Sequence, residues 1–370
     1  MIICAYLQVI MLILFVLFFA AEHTKNVYEI FLLRIHMQVV RFLTQAVVAL
    51  CLCVAVPLYA VASQLCDFDG DGLAEFPVVT VNEQGNYTWL ALNPRTNMQR
   101  VVMTNFGNAS TKLIPGNWFE SGRAVAAVVF PITATSPLVR AIWSAASVDY
   151  LGGRSMARNL GRSGDLIIHG GDYDGNGITD SLILKQTTGK LGLRVNYFLS
   201  NYNGNNLGKE RLYKSLGSPF RDGNFFFSPD GVQDYLAVLR RGNSVNTILQ
   251  LKPFTDNPQA FKLSAIPGGS LDPLPLKQGS GKADLLLFYA RRSDHTLVVV
   301  KTIQGTTVFS ALVAGTGLVS VGDYLPGAGW EFAVQDGTEV TIINPHTKVN
   351  RRIQLPAGKL VSCISRQYIQ

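Results

Sequence analysis

The chain has 370 residues, 48% of them hydrophobic and only 15% charged, a balance that excludes a disordered protein and leaves length for one large domain or two. The net charge of +7 is carried by scattered residues and pairs such as Arg240-Arg241, Arg291-Arg292 and Arg351-Arg352, which argues for a solvated surface and against nucleic acid as a partner. Mean hydropathy is +0.21, high for a soluble chain, and the N-terminus accounts for much of it.

Residues 2–21 and 46–62 are nearly continuous apolar runs. Met37 opens a stretch that reads as a complete secretory signal, with Arg41 in a short basic region, an apolar region over residues 46–59, and Ala60-Val61-Ala62 as a small-residue cleavage site. On this reading residues 1–36 are an upstream hydrophobic extension from a start assigned too early, residues 37–62 are the signal peptide, and the mature domain fills 63–370. The alternative for residues 2–21 is a membrane span that anchors the protein. Cys66 does not read as lipidated, because Ser63-Gln64-Leu65 lacks the small residue expected just before such a cysteine. Removing Lys25, Arg34, Arg41, Glu22 and Glu29 with the first 62 residues leaves the rest at +6.

Immediately after the leader comes Asp67-Phe68-Asp69-Gly70-Asp71-Gly72-Leu73-Ala74-Glu75, and a second copy stands at residues 172–180 as Asp172-Tyr173-Asp174-Gly175-Asn176-Gly177-Ile178-Thr179-Asp180. Side-chain oxygens at positions one, three, five and nine of a glycine-hinged loop suit a hard cation, which takes six to eight oxygen ligands at roughly 2.3–2.6 Å. The expected calcium ligands are Asp67, Asp69, Asp71 and Glu75 with the Leu73 carbonyl, and Asp172, Asp174, Asn176 and Asp180 with the Ile178 carbonyl.

With this nine-residue frame as a ruler, first positions fall at Asp67, Asn117, Asp172, Phe226, Leu276 and Asp323, with steps of 50, 55, 54, 50 and 47 residues. Position six is glycine in five of the six units, with Ala328 the exception; position nine is acidic in five, with Val125 the exception. Each loop is followed by an apolar run, a short polar turn and a second apolar run, as in 181–185, 187–190 and 191–199, or 285–289, 291–295 and 296–303. These predict hairpins of short strands, and no segment after Ser63 has a helical period. The expected fold is all-β: a β-propeller of six blades, with seven possible if one unit has diverged.

The loops at 67–75 and 172–180, each leading into an apolar strand, resemble the calcium-binding FG-GAP and VCBS repeats of integrin-α-type propellers. That resemblance implies a cation held in a hairpin loop of a blade, outside the central channel, and an extracellular role in adhesion or ligand binding. In the other four units the ligands are replaced, for example by Asn117, Phe119 and Ser121, so those blades are expected to be metal-free or weak. An EF-hand or dockerin shares the opening of the motif, but its twelfth position needs a bidentate glutamate where this chain has Val78 and Ile183, and its flanks are helices.

Catalytic signals are sparse. His169, His295 and His346 have no zinc-type spacing, and there is no G-x-S-x-G elbow, phosphate-binding glycine loop or C-x-x-C. Asp294-His295 lies in a predicted hairpin turn and reads as surface. The expected function is a non-catalytic module that binds an extracellular protein or glycan as a monomer, secreted, periplasmic or at the cell surface. The competing reading is a propeller enzyme, a hydrolase or lyase with its site at the channel mouth. Trp118-Phe119 and the amide-rich residues 201–206 are either sugar-stacking groups or ordinary turns.

Of five cysteines, Cys4, Cys51 and Cys53 fall in the N-terminal apolar segments. Cys66 and Cys363 remain, one just before the first repeat and one near the end, and a circular fold would bring them together as a disulfide in an oxidising compartment.

Overall fold

Apolar residues alternating with polar ones, broken by Gly, Asn and Asp turns, dictate short antiparallel strands here. The computed structural model describes residues 65–118, 122–130, 142–146, 155–159, 165–186, 192–199, 207–214, 224–227, 233–240, 245–252, 259–264, 273–277, 285–327 and 329–368. The readings of the signal peptide, of the upstream extension and of residues 201–206 lie outside them. Within the described residues all regular structure is strand.

Six antiparallel sheets follow one another along the chain. The first contains β1 (Phe76–Val81), β2 (Tyr87–Leu92) and β3 (Gln99–Met103); the second β4 (Lys112–Leu113), β5 (Ala126–Phe130), β6 (Ile142–Ala146) and β7 (Ser155–Asn159). The third contains β8 (Leu166–Gly171), β9 (Asp180–Gln186), β10 (Gly192–Leu199) and β11 (Leu207–Lys214), and the fourth β12 (Asn224–Phe227), β13 (Tyr235–Arg240), β14 (Val245–Leu251) and β15 (Gln259–Ser264). The fifth runs β16 (Leu274–Leu276), β17 (Leu285–Arg291), β18 (His295–Thr302) and β19 (Thr307–Ala314); the sixth β20 (Val319–Gly322), β21 (Glu331–Asp336), β22 (Glu339–Ile343) and β23 (Asn350–Gln354). The hairpins anticipated around 187–190 and 291–295 are the β9–β10 and β17–β18 pairs.

Among the strands whose burial is described, second strands are more buried than fourth strands. Second strands such as β1 and β21 open with four consecutive buried residues, which fits a strand packed on both faces. Third strands β2, β18 and β22 alternate, with Leu297 half-buried between the buried Thr296 and Val298, one face in and one face out. Fourth strands β3, β19 and β23 are mostly exposed or half-exposed.

The first strands β8, β12, β16 and β20 lie beside one another in turn. A repeated backbone hydrogen bond ties the loops that follow them. Ala124 N donates to Asp67 O (2.6 Å), Thr179 N to Asn117 O (2.5 Å), Asp234 N to Asp172 O (2.6 Å), Trp330 N to Lys277 O (2.7 Å), and Ala74 N closes back onto Asp323 O (2.6 Å). The sheets therefore follow one another in a circle, the arrangement of a β-propeller. Phe76 and Tyr324, stacked with ring centroids 4.3 Å apart, seal the joint between the first and sixth sheets. This bond pattern corrects the repeat frame by one residue in two units. The donor in the fourth is Asp234 rather than Gln233, and the acceptor in the fifth is Lys277 rather than Leu276, which β16 absorbs as a strand residue.

Among the described residues the first sheet takes its first strand from the far end of the chain. The C-terminal strand β24 (Lys359–Leu360) supplies it, pairing Val78 with Leu360. Cys363 then joins Cys66 in a disulfide with Cα atoms 5.9 Å apart across 297 residues. The chain continues into β25 (Ser365–Tyr368), which pairs with β8 and makes the third sheet five-stranded.

Candidate metal centres

Both acidic loops sit between the circle's inner edge and a second strand, at residues 67–75 and 172–180. In the first, Asp67 folds the turn: its Oδ1 accepts from Gly70 N at 2.6 Å and its Oδ2 from Gly72 N at 2.8 Å. Asp69 Oδ1 accepts from Asp71 N and Asp71 Oδ1 from Leu73 N, so the alternating acids cap the backbone and turn their remaining oxygens toward one another. Gly70 and Gly72 hold φ of +82° and +88°, and a Cβ on Gly70 would stand 2.8 Å from Arg123 Nε. Glu75 closes the loop, its Oε2 accepting from Phe68 N at 2.7 Å.

The third-unit loop repeats this wiring. Asp172 Oδ1 accepts from Gly175 N and Oδ2 from Gly177 N, both at 2.8 Å; Asn176 Oδ1 accepts from Ile178 N; Asp180 Oδ2 accepts from Tyr173 N at 2.8 Å. One carboxylate oxygen from each of Asp67, Asp69, Asp71 and Glu75 lies within 4.8 Å of the others, and so do oxygens of Asp172, Asp174 and Asp180. Asn176 joins the second group through its amide, which donates to Asp174 Oδ2 at 3.3 Å. The seven carboxylates expected from sequence are thus brought to two points, whereas Asn176 meets Asp174 through its amide nitrogen, and Leu73 and Ile178 lie in the turn with their N–H groups bound to the fifth residue of the loop.

The electrostatics are those of crowded acids. Burial, with the neighbouring acids adding to it, pushes the Glu75 carboxyl up to about 8, and burial raises Asp67 as well. Burial and then Asp234 push Asp172 up to about 7. Glu75 is 2% exposed, and its Oε1 accepts no hydrogen bond. A buried carboxylate oxygen left over after the turn is made fits a cation ligand, and an all-oxygen, acid-rich set fits a hard divalent ion. The sixth unit shows the contrast. Glu331 accepts from Tyr324 N and Leu325 N, and Asn344 Nδ2 donates to its other oxygen at 2.9 Å, so both oxygens are satisfied within the protein.

Sequence reasoning missed the residues that surround these loops. Asn117 donates from Nδ2 to Gly177 O at 2.9 Å, tying the second loop to the third. Asp234 is not a closing acid: its Oδ2 accepts from Asp172 N at 2.8 Å, so it staples the fourth loop to the third. Lys277, 7% exposed, stands 3.9 Å from Asp234 Oδ1 and 5.3 Å from the Trp330 ring centre. Arg95 ion-pairs with Asp71 and lies 3.7 Å from Glu75 Oε1. The recurrence of Asn93-Pro94 as Asn344-Pro345 was a sequence signal that these turns reach their loops.

Two other candidates resolve differently. Trp118 is 1% exposed and stacks on the buried His169 ring at 5.0 Å, so it is core and not a sugar platform. His295 pairs with Asp294 at 2.6 Å in the β17–β18 turn, as a surface pair.

No family model and no curated protein matches this sequence. Solved structures of similar shape include TolB from Acinetobacter baumannii, at TM-score 0.46 and 11% identity over 78% of this chain and 67% of that one. They also include the exotype rhamnogalacturonan lyase YesX, at TM-score 0.37 and 13% identity over 80% of this chain and 65% of that one. A prolyl endopeptidase matches at TM-score 0.38 and 12% identity, over 84% of this chain and 52% of its own length.

Proposed function

We propose that this chain is an exported six-bladed β-propeller of the FG-GAP/VCBS type, stabilised by calcium in the first and third blades and acting as a non-catalytic binding or adhesion module for a protein or glycan. The observation that carries the reading is the pair of convergent acidic loops, with Glu75 Oε1 buried and accepting no hydrogen bond. Calcium bound there supplies two positive charges to carboxyls that otherwise raise one another's pKa, and it locks the loop that begins the circle. The Cys66–Cys363 disulfide supports export to an oxidising compartment, secreted, periplasmic or at the cell surface. Titratable side chains from separate sheets do meet at Asp172, Asp234 and Lys277, but each is under 9% exposed and the two acids are bound into the loop belt. That cluster fastens loops together and presents no group to a substrate.

The test is thermal melting of the chain with calcium and with a chelator, paired with elemental analysis. Binding to the folded state alone adds RT ln(1 + [L]/Kd), about 2.7 kcal/mol at a hundredfold excess over Kd. We expect bound calcium and a midpoint several degrees higher, with Asp174→Ala weakening the third-unit site and leaving the first intact. An unchanged midpoint together with no bound calcium sinks the proposal.

A further inference from the structure

Arg95 follows β2 in a turn that leaves its side chain little choice. Asn93 Oδ1 accepts from Arg95 N at 3.0 Å, from Arg95 Nε at 3.3 Å and from Thr96 N at 3.3 Å, and Arg95 O accepts from Arg351 Nη2 of β23 at 2.7 Å. The guanidinium is thereby aimed at the first loop, where Nη2 contacts Asp71 Oδ2 and stands 3.7 Å from Glu75 Oε1. Its side chain is only 19% exposed, so the pair is partly shielded from water.

The sixth sheet makes the same turn with a different outcome. Asn344 follows β22, and its Oδ1 accepts from His346 N and Thr347 N as Asn93 does from Arg95 and Thr96. There the closing acid is satisfied by a neutral amide, Asn344 Nδ2 on Glu331 Oε1. In the first sheet the corresponding oxygen of Glu75 accepts no hydrogen bond and has a full positive charge nearby, too far to hydrogen-bond it. An arginine placed so binds Asp71 directly and offsets the charge of Glu75 without satisfying it.

We infer that Arg95 is a resident counter-cation of the first loop, competing with a divalent cation for Asp71 and Glu75 and so setting the affinity of that site. The inference rests on the calcium reading of the loop. A guanidinium cannot be deprotonated at working pH, so Arg95 keeps its charge across the working range, and its pairing is screened by salt only in part. Calcium must displace Arg95 from Asp71, and the affinity of the first loop is lowered by the strength of the ion pair it breaks.

The experiment is calcium titration calorimetry on the full chain carrying Asp174→Ala, which isolates the first loop, with and without Arg95→Gln. Ion pairs of partial exposure predict that Arg95→Gln tightens the first-loop Kd about three- to tenfold. Arg95→Lys, which keeps the charge on a more flexible stem, is expected to fall between the two, and it serves if the glutamine variant folds poorly. In chains carrying Asp69→Ala instead, which isolate the third-unit loop, Arg95→Gln leaves the Kd unchanged. A first-loop affinity that is unchanged or weakened overturns the proposal. Absence of calcium binding by both loops overturns the calcium reading itself, and the melting midpoint in chelator then decides the role of Arg95. A lower midpoint in Arg95→Gln supports the counter-cation, and an equal one overturns it.

Discussion

At the scale of single residues, the buried titratable groups give stability a pH dependence, and the calcium proposal predicts that metal changes it. Glu75 and Asp172 are raised to about 8 and about 7, so below their ordinary range they are protonated in both states, and between roughly pH 4.5 and 7 only the folded chain holds those two protons. Their contribution to stability is therefore lost as pH rises through the folded values. His169 works in the opposite sense: fully buried between Trp118 and Pro115 O, it is lowered to about 4 by burial, and its contribution is lost as pH falls from about 6.5 toward 4. Two protons gained against one forgone leave a net loss of about 1.4 kcal/mol per pH unit on going from pH 4.5 to 6.5 in chelator. Glu331, raised by burial, adds to the fall. In saturating calcium the two loop acids are ionised in folded and unfolded chains alike, so their fall with pH is expected to disappear and leave the rise set by His169, opposed by Glu331. Melting curves across this range with and without calcium check it, and equal slopes would refute the assignment. That these acids converge was legible in the sequence, because an Asp-x-Asp-x-Asp/Asn frame with glycine hinges folds into a tight turn. Arg95 and Lys277 were not, since a basic residue reads as solvated surface until the acids facing it are placed.

At the scale of elements, the loop-and-hairpin repeat was legible from alternation and turn residues alone, to within a residue or two at most strand ends. Its slip by one residue in the fourth and fifth units was not, because the acid that marked the frame at Asp234 serves a different bond there. Also hidden were β24 and β25, two and four residues long, whose partners are set by circular closure and not by any local pattern. The junction at β8 shows how tightly β25 is seated. Gly170 has φ of +107° where the β8–β9 register shifts, and a Cβ there would stand 2.7 Å from Cys363 O and 3.2 Å from Ile364 Cα. Gly170→Ala therefore meets both a left-handed backbone and a backbone wall. We expect a loss of about 2–3 kcal/mol, read by denaturant unfolding, because such strain costs of order 1–3 kcal/mol and the overlap adds to it. A neutral result would mean that the 361–364 segment moves aside easily.

At the scale of the whole molecule, the circle is held shut by three devices within ten residues: β24 on the first sheet, the disulfide, and β25 on the third sheet. A crosslink across so long a loop is worth at most about 5 kcal/mol in the chain-entropy model. Cys363→Ser is expected to lower stability by about 2–5 kcal/mol and, because Cys66 adjoins Asp67 and its carbonyl accepts from Glu75 N at 2.9 Å, to weaken calcium at the first loop more than at the third-unit loop. Calorimetry on the single-loop backgrounds reads both effects, and equal weakening would separate the disulfide from the metal. The same arrangement governs the order of assembly. The first sheet borrows its innermost strand from residues 359–360, which follow the strands β1 to β23 in the chain, so it stays an open three-stranded edge until they are made. A nascent chain thus exposes that edge until residues 359–360 are free to pair. Termination before Lys359 would leave β1 to β23 in place and the first sheet unfinished.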